Sequence, residues 1–172
     1  MALLTFSQQQ AIKAISANNE VKYAQLEKEV EDSDLRDLLG VALLQDLQDN
    51  PTDENNVKLL DEYSFEDCNG NTVKHKGLRY VLAYLIYARY IGSSFVNDTF
   101  TGFVVKNRPD SELINEGTIK RLQNENRKLA LTEWDLIKEY LNLNCDTYTL
   151  WISSESKKPT LPKFTFLRKT QY

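Results

Sequence analysis

The stretch from Leu78 to Ile91 reads LRYVLAYLIYARYI, with Arg79 and Arg89 its only charges. Wound as a helix, it presents apolar or aromatic side chains on nearly every face, and a helix of that kind has to be surrounded by protein. Gly77 before it and Gly92-Ser93-Ser94 after it bracket the element. Tyr80, Tyr84, Tyr87 and Tyr90 can bury their rings while their hydroxyls reach polar partners at the edge. The run is shorter than the roughly 18 apolar residues that a membrane span requires, so the expectation is a core helix.

On the N-terminal side of this stretch, Ser7 followed by Gln10 has the spacing of a capping box, and Ala11, Ile12, Ala14 and Ile15 predict a short helix ending near Asn18-Asn19. A charged stretch over 21–34 leads to Leu35, Leu38, Leu39, Ala42, Leu43 and Leu47. Their steps of three and four mark one amphipathic helix, stopped at Asn50-Pro51. Asp53 to Glu62 predicts another turn or two of helix. Tyr63-Ser-Phe65 and Thr72-Val-Lys74 flank Asn69-Gly70, a pairing that predicts a β-hairpin.

On the C-terminal side, Thr99 to Lys106 is β-branched and aromatic and is broken by Arg108-Pro109-Asp110-Ser111, which predicts a strand or extended loop. A long helix follows from Glu116 to Leu141, with Thr118 as a candidate cap and Ile119, Leu122, Asn126, Ala130, Trp134, Ile137 and Leu141 in one stripe. Asn126 is expected to be partly exposed, the second reading being a buried Asn that sets register against a neighbour. From Leu143 the helical period is lost, prolines enter at Pro159 and Pro162, and short alternating runs remain at Tyr148–Ile152 and Phe164–Arg168. The fold class expected is mainly α: a small helical bundle with a long C-terminal helix, a short β-hairpin or extended loop, and an extended C-terminal arm. The helical domain is placed at 1–142 and the basic arm at 143–172.

The 172 residues suffice for one ordinary domain with its own core. The N-terminal MALLTFSQQQ lacks the pattern of a signal peptide, so the protein is expected to stay in the cytoplasm that makes it. Cys68 and Cys145 match no metal spacing and read as reduced thiols. The net charge of -4 is uneven: residues 153–172 hold five basic residues against Glu155 alone, a balance of +4, and leave -8 for the rest. An acidic body is poorly suited to gripping phosphates, whereas the tail suits a different partner.

The residues that could carry catalysis or bind a metal lack the partners such chemistry needs. His75 is the single histidine and stands between Lys74 and Lys76, so a zinc site or a triad would lack its partners. Asp67, Asn69 and Asn71 mimic the opening of a calcium loop, but Thr72 takes the place of its glycine and Leu78 that of its bidentate glutamate. Phosphate-cradling glycine motifs do not occur, and the carboxylates offer no distinguishable acid–base pair. No enzyme activity, metal or cofactor is expected.

The order of features carries more information than any one of them. Asp34-Leu35-x-x-Leu38-Leu39-Gly40 comes first, then Gly77-Leu78 and a tyrosine-rich helix ending Tyr87-Ala-Arg89-Tyr90. Thr99-x-Thr101-Gly102-x-Val104-x-Lys106 follows, and then a long helix beginning Ile119-Lys-Arg121-Leu122 with Asn124-Glu125. This ordered set resembles the head-tail connector (adaptor ring) family of tailed bacteriophages, in the form found in Bacteroides-type and crAss-like phages. The chain departs from that family at Ser111-Glu112-Leu113, where a proline usually follows the serine, and the arm from Leu143 lies outside the resemblance.

The resemblance implies a structural virion protein at the head-tail junction, assembled in the host bacterial cytoplasm. Usually twelve copies form a ring below the portal, lining part of the DNA channel and giving the tail a platform. Its partners would be further copies of itself, the portal protein, and tail or further ring proteins, with packaged DNA passing through without specific binding and no membrane involved. A ring needs one patch on each side of the subunit, and an extended segment can satisfy its backbone on a neighbour's sheet. The expected interface residues are therefore Thr99, Phe100, Thr101, Gly102, Phe103, Val104 and Lys106 in the link, and Phe164, Phe166 and Arg168 in the arm. The basic arm would lie on an acidic portal or tail surface. A cytoplasmic helical interaction or assembly adaptor is the second reading, and an enzyme using unrecognised carboxylates the third.

Overall fold

In a computed structural model of the chain, the described residues are 2–15, 20–94, 96–99, 102–105 and 115–151. The fold is mainly helical. Helix α1 spans Phe6–Ile12 and α2 spans Glu20–Val30; a π-helical turn, Glu31–Leu35, runs on into α3 at Arg36–Leu39. Then come α4 at Val41–Asp49, α5 at Glu54–Leu60, a hairpin of β1 (Tyr63–Glu66) and β2 (Thr72–His75), and α6 at Leu78–Ser94. A second hairpin, β3 (Val96–Thr99) with β4 (Gly102–Val105), precedes the long α7 at Glu116–Leu143.

Helix α6 is the expected central helix. Val81, Ala83 and Ile86 are completely buried, and Leu78, Leu82 and Leu85 nearly so. Helix α7 lies along it with Ala130, Trp134, Ile137 and Leu141 inward, and α2 and α1 also pack against α6. Each fully buried Leu or Ile is worth about 1.5–3 kcal/mol over leaving it in water. The tyrosine stripe is only half-buried. Lysines roof it: Lys13 Nζ lies 4.7 Å from the Tyr87 ring centre and Lys76 Nζ 4.4 Å from that of Tyr80, a cation–π arrangement suited to rings at a boundary.

Several local readings change. The capping box belongs to Thr5 and Gln8, not Ser7 and Gln10, and α1 stops at Ile12. The charged stretch 21–34 is itself helical: Tyr23, Leu26, Val30, Leu35 and Leu39 are all buried. The step from Val30 to Leu35 is five residues, which a π turn keeps on one face and an α-helix does not. The helix expected to run from Leu35 to Leu47 is split at Gly40, whose φ of 80° ends α3 and starts α4. Asn115, not Thr118, caps α7, its Oδ1 accepting from Gly117 N at 2.7 Å. Asn126 is buried rather than partly exposed, and its amide donates to the Leu122 carbonyl one turn back.

The first hairpin forms where expected, with Tyr63 opposite His75 and Phe65 opposite Val73. Its loop is closed by the Asp67 carboxylate, which accepts from the amides of Asn69 and Asn71 at 2.8 Å each. The extended link has a partner within the chain: β4 pairs with β3, Thr99 opposite Gly102 and Asn97 opposite Val104. Residues 144–151, placed beyond the helical domain by the sequence, wind back as turns and bury Tyr148 and Trp151 in the core.

Gly77 makes the entry to α6 possible. Its φ is 84°, and a Cβ there would stand 2.5 Å from the Asp61 carbonyl oxygen and closer still to that of Leu60. Gly70 also has a positive φ, 79°, but open space around it. Gly77→Ala is therefore expected to cost about 3 kcal/mol or more, and Gly70→Ala about 1 kcal/mol. Thermal unfolding of the two variants checks this; equal losses would contradict the packing at the α6 entry.

Candidate functional site

Tyr63, Phe65 and His75 are far from Tyr140 and Tyr148 in sequence, yet their rings form one cluster. The alternation of β1 and β2 puts Tyr63, Phe65 and His75 on the face that meets α7. The His75 ring centre lies 5.2 Å from Tyr140, 6.0 Å from Phe65 and 6.3 Å from Tyr63. Tyr148, carried by the turns after α7, stands 5.7 Å from Tyr140; its hydroxyl donates to the Asn55 carbonyl at 2.7 Å and lies 3.3 Å from the Tyr140 hydroxyl. Burial, reinforced by that contact, raises the Tyr148 hydroxyl's pKa. The cluster thereby joins β1, β2, α5 and the end of α7.

His75 is completely buried, and neither ring nitrogen meets a hydrogen-bond partner among the described residues. Burial pushes its pKa down to about 4, so the imidazole is neutral near pH 7. Sealed from solvent, it cannot reach a solute, and its place is that of a packed ring. Beside the cluster a cleft of about 670 Å³ opens to the surface, walled by Asn55 and Lys58 of α5, Ser64 and Glu66 of β1, and Leu143 and Thr147. Lys58 is paired with Glu54 at 2.6 Å, which raises its pKa.

A second constellation lies at the opposite end of α6. The Asp34 carboxylate, on a side chain only 10% exposed, accepts from Arg89 Nη2 at 2.7 Å and Nε at 3.1 Å, and from Arg127 Nη2 at 2.8 Å. Arg89 also donates to Ser33 Oγ at 2.7 Å. The π turn aims Asp34 at both arginines, locking α6 and α7 together at one carboxylate. Leaving a charge of this kind without its partner is costly.

The third polar group is the pair Glu27 and Glu31, buried beneath the N-terminal segment. Glu31 accepts from Leu3 N at 3.1 Å and from Gln48 at 2.9 Å. Burial, and then the neighbouring Glu31, push Glu27 up to about 7. Among the described residues no three His, Cys, Asp or Glu side chains converge as metal ligands would.

Of the interface residues expected from the sequence, Thr99 ends β3, and Gly102, Phe103 and Val104 belong to β4, so one hairpin brings these four together. Phe100, Thr101, Lys106, Phe164, Phe166 and Arg168 lie outside the described residues. The ring cluster and the Asp34–Arg89–Arg127 lock were not read from the sequence. The only signal for the lock was the co-occurrence of Asp34 and Arg89 within the ordered features.

A family model described as a family of unknown function (DUF6712) matches residues 35–160. No curated protein matches the chain, and no solved structure does.

The state of His75 has a measurable consequence. Its folded pKa lies below the unfolded value of about 6.5, so the stability it supports is present above pH 6.5 and is lost as the pH falls through 4. The full loss is on the order of 3 kcal/mol. Urea midpoints measured from pH 7 to pH 4 are expected to fall more steeply for the native protein than for His75→Phe. Parallel profiles would show that the imidazole is not held neutral.

Proposed function

This chain belongs to the family of unknown function DUF6712, whose match takes in most of it, and we propose that it is a structural subunit of an oligomeric ring, the head-tail connector of a tailed bacteriophage. The observation that carries the reading is the β3–β4 hairpin, set between the two helices that pack most extensively on each other. Among the described residues its strands form a two-stranded sheet, so each keeps one edge of backbone donors and acceptors. Such edges are natural docking sites for a strand from another chain. A ring subunit needs a self-extending contact of this kind, one surface meeting a different surface on the next copy.

Two further observations support the same role. Asp34 and Arg89, quoted from separate parts of the ordered resemblance, are in contact, and Arg127 of α7 joins them, so the set corresponds to one packed unit. The residues before 153 carry a net charge of -8, and a channel wall of that sign gives packaged DNA few cations to hold it. The role proposed is architectural: the subunit joins portal to tail and lets DNA pass, while the basic tail meets an acidic portal or tail surface.

Electron microscopy of the purified protein, with and without portal, tests this reading. Concentration-dependent rings or portal-bound rings are expected, with portal docking weakened on deletion of residues 153–172. A monomer that never binds portal would overturn the proposal. A small closed oligomer without portal affinity would favour an assembly adaptor instead.

A further inference from the structure

The cleft beside the aromatic cluster runs along all four residues of β1 and meets β2 only at Thr72. Among the described residues the sheet is two-stranded, β1 with β2, so the free edge of β1 opens into this cleft. Its wall includes Leu143, 44% exposed at the end of α7, a large apolar side chain beside unpaired backbone. Glu66, also on the wall, has no ion pair among the described residues. The chain leading into and along β1 is acidic: of the eight carboxylates from Asp46 to Asp67, Glu54, Asp61 and Glu62 pair with Lys58, Arg79 and Lys74, and the other five have no ion pair among the described residues.

We propose that the C-terminal segment of the same chain, residues 152–172, docks in this cleft as a third strand on the free edge of β1. Charge complementarity is the first argument: the segment carries Lys157, Lys158, Lys163, Arg168 and Lys169 against Glu155 alone. Pattern is the second. Lys163-Phe-Thr-Phe-Leu-Arg168 places Phe164 and Phe166 two residues apart, and on a strand that spacing sets both rings on one face, where Tyr140 and Leu143 offer them apolar contact.

Reach is the third argument and selects the copy. The described chain ends at Trp151, buried against Trp134 at 5.8 Å and donating to Asn142 Oδ1 at 2.9 Å. Thr147, four residues earlier, is already part of the cleft wall. The twelve residues between Trp151 and Phe164 can span about 40 Å when extended, more than is needed to turn back. A tether this short keeps the segment at an effective concentration of roughly millimolar, so its own cleft is filled ahead of a neighbour's. The docking belongs to the free subunit, before portal or tail takes up the basic segment; it goes beyond the ring proposal and does not depend on it.

Amide hydrogen exchange followed by NMR on the full chain tests the docking, against a Phe164→Ser, Phe166→Ser double variant. The β1 amides that face away from β2 are expected to exchange at least tenfold more slowly in the native chain, equally across a hundredfold range of protein concentration. The α6 amides, unchanged between the two proteins, report that both are folded. Equal β1 rates in the two proteins would overturn the proposal. Protection that grows with protein concentration would overturn it as well, by showing that another copy's segment fills the cleft.

Discussion

Helix α6 can show water little beyond its half-buried tyrosine stripe, and that constraint organises the rest of the molecule. Its inward positions from Leu78 to Ile91 are buried around the greater part of the helix, so several elements must cover it at once. Helix α7 takes one flank and α2 another, and α1 packs against it as well. The remaining half-buried stripe of tyrosines is roofed by lysines just after α1, in α2 and just after the first hairpin. The buried apolar side chains form one cluster, to which α4 is tied through α3 and the first hairpin through α7.

The two charges within α6 set the position of what surrounds it. Arg79 pairs with Asp61 and donates to the Leu3 carbonyl at 3.0 Å, fastening the N-terminal segment and the end of α5. Arg89, three turns further on, fastens the π turn through Asp34, and Arg127 brings α7 to the same carboxylate. Apolar burial is indifferent to rotation and sliding, whereas ion pairs with fixed hydrogen-bond geometry are not. The arginines therefore fix the register in which the cover is applied.

Much of this architecture was legible because apolar periodicity reports burial directly. The long C-terminal helix announced itself in that way, the central helix by being apolar on nearly every face, and the first hairpin by its Asn69-Gly70 turn. Helix α2 did not, because its buried residues are diluted by charges and the π turn interrupts their spacing between Val30 and Leu35. Strand β3, Val-Asn-Asp-Thr, has too little β character to be read alone, and so the link after it looked like an extended segment without a partner. The ring cluster was illegible for a different reason. Residues 63, 65, 75, 140 and 148 come together only when the first hairpin packs on the end of α7 and the turns after α7 wind back, and a lone histidine between two lysines gives no sign that it will be completely enclosed.

If enclosure of α6 is what the fold rests on, its backbone should open only when the whole molecule opens. Native-state hydrogen exchange at increasing low concentrations of denaturant measures this residue by residue. The amides from Leu82 to Ala88 should be among the slowest in the chain and should merge with the global unfolding free energy, while α1 and the hairpins exchange by smaller openings. Exchange of those α6 amides through a local opening, with α7 still protected, would contradict the account.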